Sequence, residues 1–124
     1  MADWSEDLIP AERARTLDGL FHQRLKRSPN CIAYRWHARA EGGWHAVTWG
    51  ETAREVARWR EALQSENLSP GDRVAILLRN CPEWVIADQA ALSLGLVTVP
   101  LYTDDRADNA AYILNDAAVK VLVI

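Results

Sequence analysis

The spacing of apolar residues predicts two amphipathic helices in the first half of the chain. From Thr16 onward, apolar residues recur every three or four positions until Pro29 interrupts the pattern. A second helical pattern begins after Thr48, which has Glu51 at the S/T-x-x-E spacing of a capping box. The stripe predicted to share one face of this second helix consists of Ala53, Val56, Ala57, Arg60 and Leu63.

A pair of short strands is predicted between these helices. Segments 31–36 and 45–49 are rich in aromatic and β-branched residues, and Gly42–Gly43 in their connection is typical of a hairpin turn. We therefore expect an antiparallel hairpin, at the edge of a sheet or as a separate ribbon. In this hairpin Trp36 and Trp44 are expected to face each other.

The remainder of the chain alternates apolar runs with helical patterns, as in a parallel α/β fold. The runs show little polar alternation, which is expected when both faces of a parallel sheet are covered. Strand, helix, strand, helix, strand with short links predicts a right-handed βαβαβ unit with parallel neighbouring strands. The predicted strands are 73–78, 97–99 and 119–123, and the predicted helices are 83–94, ended by Gly95, and 106–117.

The last eight residues, 117–124, have the composition of a buried strand. Residues 121–124 are all aliphatic, and no turn or polar tail follows them. A parallel interior strand needs neighbours, so we expect this chain to be the truncated portion of a larger domain. An unpaired strand edge favours pairing with another chain, and we expect self-association as a dimer or larger.

Composition and charge exclude some functional classes. With 49% hydrophobic and 25% charged residues, the chain is in the ordinary globular range. A net charge of −3 argues against a nucleic-acid partner, which would require a clustered excess of Lys and Arg. The N-terminal residues lack the positive start and apolar run of a signal peptide, and a cytoplasmic location is expected.

The cysteines and tryptophans favour structural roles. Cys31 and Cys81 are fifty positions apart with no CxxC pair, which favours two free thiols, although a disulfide stays open. Most of the tryptophans are expected to fill the core. Peripheral membrane contact and a sugar-stacking platform remain the alternatives. The tryptophans on periodic segments are Trp36, Trp44, Trp49, Trp59 and Trp84.

Candidate chemistry is sparse. Open α/β sheets bind ligands beyond the carboxyl ends of their strands, which directs attention to loops 79–83 and 100–105. The six glycines form neither GxGxxG nor GxxxxGK[ST], so the sequence has no phosphate-binding loop. A cluster of aspartates could bind a hard metal ion, but its position favours interaction with a helix N-terminus. None of the histidines is expected to pair with an acidic residue close to it in the sequence, and we interpret them as surface residues. The clustered aspartates are Asp104, Asp105 and Asp108, and the histidines are His22, His37 and His45.

Several segments, in order, resemble the N-terminal region of the AMP-forming adenylate synthetases, the acyl-CoA synthetase family. The resemblance covers residues 17–124, leaves 1–16 as an N-terminal extension, and is greatest to the long-chain fatty acyl-CoA branch. One departure from the family is Cys81, at a position where the family often has Ser. A thiol is a poor helix cap, and we expect this to lower stability by about 1 kcal/mol. The start of the helix would then depend on Asn80 or on packing. The matching segments are TWGE (48–51), GDRVAILLRNCPEW (71–84), VTVPLY (97–102) and AYILNDAAVKVLVI (111–124).

The resemblance implies a ligase that activates a fatty acid with ATP and Mg²⁺ and then forms a thioester with coenzyme A. The family's phosphate loop, adenylate-binding acids and catalytic lysine have no counterpart here, so no catalytic, cofactor-binding or metal residue is assigned. The chain alone is expected to be inactive and to bind none of these cofactors. Transfer to a carrier protein or another nucleophile, and a non-catalytic α/β interaction module, are the alternatives.

Overall fold

The computed structural model describes residues 7–124. The first six residues of the predicted extension lie outside this range, and the domain boundary after residue 16 stays a prediction. Within the extension, the short helix α1 was not indicated by the sequence pattern. The elements are α1 Ala11–Ala14, α2 Leu17–Arg27, β1 Ile32–Ala38, β2 Gly43–Thr48, α3 Trp49–Gln64, β3 Arg73–Ile76, α4 Pro82–Ser93, β4 Val97–Pro100, α5 Ala107–Asp116 and β5 Val119–Val123.

The predicted α/β architecture is confirmed. β1 and β2 form a separate antiparallel hairpin, and the other three strands form a parallel sheet in the order β4-β3-β5. The central strand β3 is shorter than the predicted 73–78, because pairing with both neighbours ends at Ile76. The sheet topology is therefore the one that the alternating pattern predicts.

The core lies between the sheet and helices α2, α3 and α4. Val74, Ala75 and Ile76 of β3 have no exposed surface, which explains why this strand carries no polar alternation. Helix α4 is apolar on most of its circumference because it packs against α3, α2 and the sheet. The core side chains include Phe21, Val56, Leu63, Val74, Ile86, Ala90, Ala91 and Leu96.

The helix boundaries have identifiable local causes. The capping box at α3 is present: the Thr48 N–H donates to Glu51 Oε2 at 2.8 Å, and the Glu51 N–H donates to Thr48 Oγ1 at 3.2 Å. Pro82 is the first residue of α4, where its missing N–H leaves no bond unmade. Gly95 ends α4 in the left-handed conformation at φ 69°, as predicted.

The predicted facing of Trp36 and Trp44 is wrong. Trp36 pairs with His45, and Trp44 pairs with His37, so the two tryptophans lie on opposite faces of the hairpin. The cause is the connection: a 3-10 turn over Arg39–Glu41 and Gly42 at φ 74° closes the hairpin at the pair Ala38–Gly43, which sets the register.

The tryptophans fill the core less than expected. Trp36, Trp49, Trp59 and Trp84 are half-buried, whereas Trp44 is 73% exposed at the end of the hairpin. Trp49 and Trp59 pack against the core cluster without being fully enclosed. These side chains therefore border the core.

The predicted stripe of α3 is only partly correct. Val56 and Leu63 are buried, but the third buried residue is Thr52, whose hydroxyl donates to the Thr48 carbonyl at 2.8 Å. Ala57 and Arg60 are exposed, because the helix turns a neighbouring face toward α4 and the hairpin.

Two further findings bear on the interpretation of the sequence. Cys31 and Cys81 are free thiols, as expected. None of the helices within residues 7–124 combines the length and the apolar character needed to cross a membrane.

Candidate functional site

The parallel sheet brings two of the predicted loops together in a cleft. The loop after β3 and the loop after β4 leave the sheet at its carboxyl edge and line a cavity of about 580 Å³. Leu101 forms part of its lining: its side chain is 7% exposed, and its N–H donates to the Ile76 carbonyl at 2.9 Å. Loops 79–83 and 100–105 therefore meet where the sequence places the binding edge.

The cleft also lies beside the topological switch point of the sheet. From β3 the chain moves to β4 on one side and then to β5 on the other side of β3. Such a reversal marks the crevice where open α/β sheets bind ligands. The Leu77 N–H donates to the Val123 carbonyl at 2.9 Å, which joins the carboxyl ends of β3 and β5 at this point. The loop after β3 thus borders both the cleft and the switch point.

The side chains that line the cleft combine one guanidinium with aromatic rings. Arg79 and Asn80 are exposed in the loop after β3, and Trp84 is half-buried in the first turn of α4. Across the cleft, Tyr102 is 84% exposed and Asp104 carries a negative charge. The sequence located these loops, but not these side chains, because no motif marks an exposed Arg or Tyr as part of a cleft.

Cys81, at the edge of the cleft, is not an activated nucleophile. It occupies the cap position of α4 without a side-chain capping bond, and the Trp84 N–H reaches its carbonyl at 3.2 Å. Burial raises the pKa of the Cys81 thiol, so the neutral form is favoured. The expected weak cap is therefore observed, and the structure shows no side-chain cap from Asn80 in its place.

Two members of the predicted aspartate cluster, Asp105 and Asp108, bond to the start of α5, whereas Asp104 lines the cleft. Asp108 accepts the N–H of Asn109 at 3.1 Å, one of the free amides of the first turn. Asp105 accepts the N–H of Arg106 at 2.8 Å and the Asn109 amide at 3.1 Å. These bonds agree with the helix-start interpretation. Within residues 7–124, no group of three His, Cys, Asp or Glu side chains is arranged to hold a metal ion.

The expectation that the histidines lack acidic neighbours is wrong for two of them. His22 Nε2 lies 3.4 Å from Asp18 Oδ1 on one face of α2, and His45 Nε2 lies 3.0 Å from Glu41 Oε2. Each acid precedes its histidine by four residues; within α2 this spacing is one helical turn, whereas Glu41 ends the 3-10 turn and His45 lies in the strand β2 that follows. Neither pair lines the cleft, so both are surface contacts.

The chain matches the family model of the AMP-binding enzymes over residues 21–124. It is 32% identical over 103 residues to a probable CoA ligase of Humulus lupulus, covering 81% of this chain and 16% of that protein. It is 37% identical over 82 residues to a long-chain-fatty-acid–CoA ligase of Mycobacterium bovis, covering 66% of this chain and 14% of that protein.

The fold is also shared with solved structures. A fatty acyl CoA synthetase of Mycobacterium tuberculosis superimposes with a TM-score of 0.75 at 28% identity, covering 85% of this chain and 20% of that one. The chain thus spans between 14% and 16% of the length of the two curated relatives. The family match over residues 21–124 includes both the hairpin and the parallel sheet.

Proposed function

The chain belongs to the AMP-binding enzyme family, and we propose that it forms the N-terminal part of a ligase that activates a fatty acid and transfers it to coenzyme A. The family match over residues 21–124 carries the proposal. The fatty acid is inferred from the Mycobacterium bovis and Mycobacterium tuberculosis relatives, whose names specify it. In such a ligase the carboxylate and ATP give an acyl-adenylate and pyrophosphate, and coenzyme A then displaces AMP.

The residues of this chain do not by themselves fit ATP, Mg²⁺ or coenzyme A. The cleft lining contains no glycine, so its backbone cannot wrap phosphates closely. The carboxylate in the cleft lining is Asp104, and within the described residues it is not part of a group of side chains that could hold a metal ion. We therefore assign no catalytic or cofactor-binding residue to the chain, and we propose that the 124 residues alone are inactive.

Within the longer ligase, the loop after β3 is the part of this chain that we place against the reacting site. Arg79 supplies a cation and Asn80 an amide at the border between the cleft and the switch point. A guanidinium can pair with a carboxylate, which is the charged group of the proposed fatty acid substrate. These residues would position substrate; the bond-making groups belong to other parts of the enzyme.

Pyrophosphate exchange tests the proposal in two steps. The purified 124-residue chain, supplied with palmitate, ATP and Mg²⁺, should exchange no labelled pyrophosphate above the buffer background. A longer ligase in which this chain replaces the matching segment of a fatty acid–CoA ligase should exchange it and release palmitoyl-CoA. Turnover by the chain alone would contradict its assignment as an inactive portion.

The same assay separates the alternatives. A longer enzyme that forms palmitoyl-adenylate but gives no thioester with coenzyme A would indicate a carrier protein or another nucleophile as the acceptor. An inactive chimera that is folded by circular dichroism would favour a non-catalytic interaction module. A cytoplasmic location is proposed as well, and recovery of the tagged protein in the membrane fraction would contradict it.

We also propose that the isolated chain self-associates. In the described structure β5 pairs only with β3, so its other edge presents unpaired N–H and C=O groups. Leu122 is 39% exposed and Ile124 is 82% exposed on this strand and just after it. Sedimentation equilibrium should show a dimer or larger species, and a monomer of 13.9 kDa at all concentrations would refute the idea.

A further inference from the structure

A second cavity lies away from the cleft, between α2 and α4, and we call it the α2–α4 groove. It measures about 530 Å³, within the usual range of small-molecule sites. Its α2 wall is one helical stripe, and the stripe is only partly covered: Leu17 is 64% exposed and Leu20 is 40% exposed. The groove is lined by Leu17, Leu20, Tyr34, Trp49, Asp88 and Gln89, among others.

One end of the groove is an aromatic cluster. Trp49 stands between Phe21 and Tyr34, with ring centroids 6.0 Å and 5.7 Å away. All three rings line the groove. Aromatic faces attract cations, and clusters of this kind recognise ammonium groups.

The polar groups of the groove call for a donor and a positive charge. Gln89 Oε1 is buried and has no hydrogen-bond partner among the described residues, which is unusual for a buried acceptor. The neighbouring Asp88 forms no ion pair within residues 7–124, and Arg24, the cation that lines the groove, pairs with Asp7 at 2.7 Å. Burial and the charge of Asp88 raise the pKa of the Tyr34 phenol, so Tyr34 adds no second negative charge.

We propose that the α2–α4 groove binds a small primary alkylamine, with its ammonium at Asp88 and its chain along Leu17 and Leu20, and that the Gln89 side chain turns its buried, unpartnered oxygen toward the ammonium on binding. An ammonium group supplies three N–H donors, which match a carboxylate and an unpartnered amide oxygen. The aromatic cluster stabilises the same charge, and the partly exposed leucines are covered by the alkyl chain. A carboxylate ligand, such as the fatty acid of the proposed reaction, is excluded by the charge of Asp88.

Four probes with the same chain length test the proposal on the full 124-residue protein: n-octylamine, octyltrimethylammonium, octanol and octanoate. In calorimetric titrations we expect octylamine to bind at least about tenfold more tightly than octanol, which corresponds to one charge-assisted hydrogen bond. The quaternary probe should be weaker than the primary amine because it has no N–H donor. Octanoate should bind least. Equal affinity for all four would reduce the site to a nonspecific apolar groove and overturn the proposal.

Variants assign the effect to the groove. Asp88→Asn should weaken octylamine binding about tenfold and leave octanol unchanged, since only the charge-assisted bond is lost. Gln89→Met should remove the preference for the primary over the quaternary amine. Asp116→Asn, at the exposed end of α5, and Gln64→Met, at the exposed end of α3, are matched controls that should change neither affinity.

Other occupants would appear as distinct outcomes. Chemical shifts of the Trp49 indole N–H and the Leu20 methyl groups should move with octylamine and saturate. If these chemical shifts move with protein concentration alone, a second copy of the chain occupies the groove. If octylamine binds only after residues 1–6 are removed, the occupant is the chain's own N-terminus. Either result, or the absence of binding, overturns the proposal.

Discussion

Replacing Ile76 with alanine tests whether the central strand that supports the cleft is as enclosed as the structure shows. Ile76 has no exposed surface and is the largest fully buried side chain of the described residues. Its carbonyl also accepts the Leu101 N–H at 2.9 Å at the base of the cleft. A cavity here would therefore weaken both the core and the support of the candidate site.

The expected cost follows from burial. Ile76→Ala removes three carbon atoms, each worth about 0.8 kcal/mol when fully buried, so the transfer contribution is about 2.4 kcal/mol. The cavity that remains adds to it, and a total of about 3–5 kcal/mol is expected. Ile76→Val removes one carbon and should cost about 0.5–1.5 kcal/mol.

Ile32→Ala is the matched control, because it deletes the same atoms from a β-strand residue that is 48% exposed. Because Ile32 is about half exposed, only about half of the transfer contribution is lost, and water can occupy the vacated volume. The free energy of unfolding should therefore fall by less than about 1.2 kcal/mol. Urea unfolding followed by tryptophan fluorescence and circular dichroism gives the free energies of unfolding, with an unchanged m-value as the check on comparability. If Ile76→Ala cost no more than Ile32→Ala, the assignment of β3 as the enclosed central strand would be wrong.

Two further predictions concern helix boundaries. Hydrogen bonds from Thr48 lower the pKa of Glu51, so its contribution to stability is present above the ordinary glutamate pKa and is lost as pH falls through the lowered value. The stability difference between the wild type and Glu51→Gln, measured by thermal unfolding, should therefore shrink between about pH 6 and pH 3, and a pH-independent difference would contradict the capping box. Gly95→Ala should cost about 1–2 kcal/mol because φ is 69° and the new Cβ would lie 3.3 Å from Pro70 Cβ. Gly43→Ala, with no atom within 4 Å, is its control and should change stability far less.

The elements that the sequence predicts well are those whose cause is local. Thr48 and Glu51 are three residues apart, and their mutual hydrogen bonds need only a helical turn. Gly95 ends α4 because the left-handed conformation is accessible to glycine without strain. The central strand β3 is equally legible, since burial on both faces leaves the continuous apolar run 74–76. The outer strands β4 and β5 keep exposed side chains, so the buried strand that the composition of 117–124 indicates is not observed.

The predictions that failed depended on how separate segments meet. The facing of Trp36 and Trp44 required a register that the 3-10 turn shifts by one residue. The stripe of α3 was drawn from three- and four-residue spacing, and it missed Thr52, a polar residue that is buried with its hydroxyl bonded within its own helix. In both cases the hydrophobic pattern does not record the deciding feature, which is the turn before β2 for the hairpin and a hydroxyl bonded to the preceding helical turn for Thr52.

The cleft and the α2–α4 groove also differ in how far the sequence could indicate them. The loops of the cleft could be located before its side chains were known, because parallel strands align their carboxyl ends at one edge of the sheet. The order β4-β3-β5, which only the structure shows, adds the point of reversal. The α2–α4 groove follows from no such rule. Asp88 and Gln89 are polar residues in a mostly buried helix, and only the structure shows that α2 leaves them beside a cavity in place of a packed surface. The polar pair Asp88 and Gln89 within a mostly apolar helix is thus the one sequence signal that could have indicated the groove. It can be interpreted only when the element that packs beside this face of α4 is known.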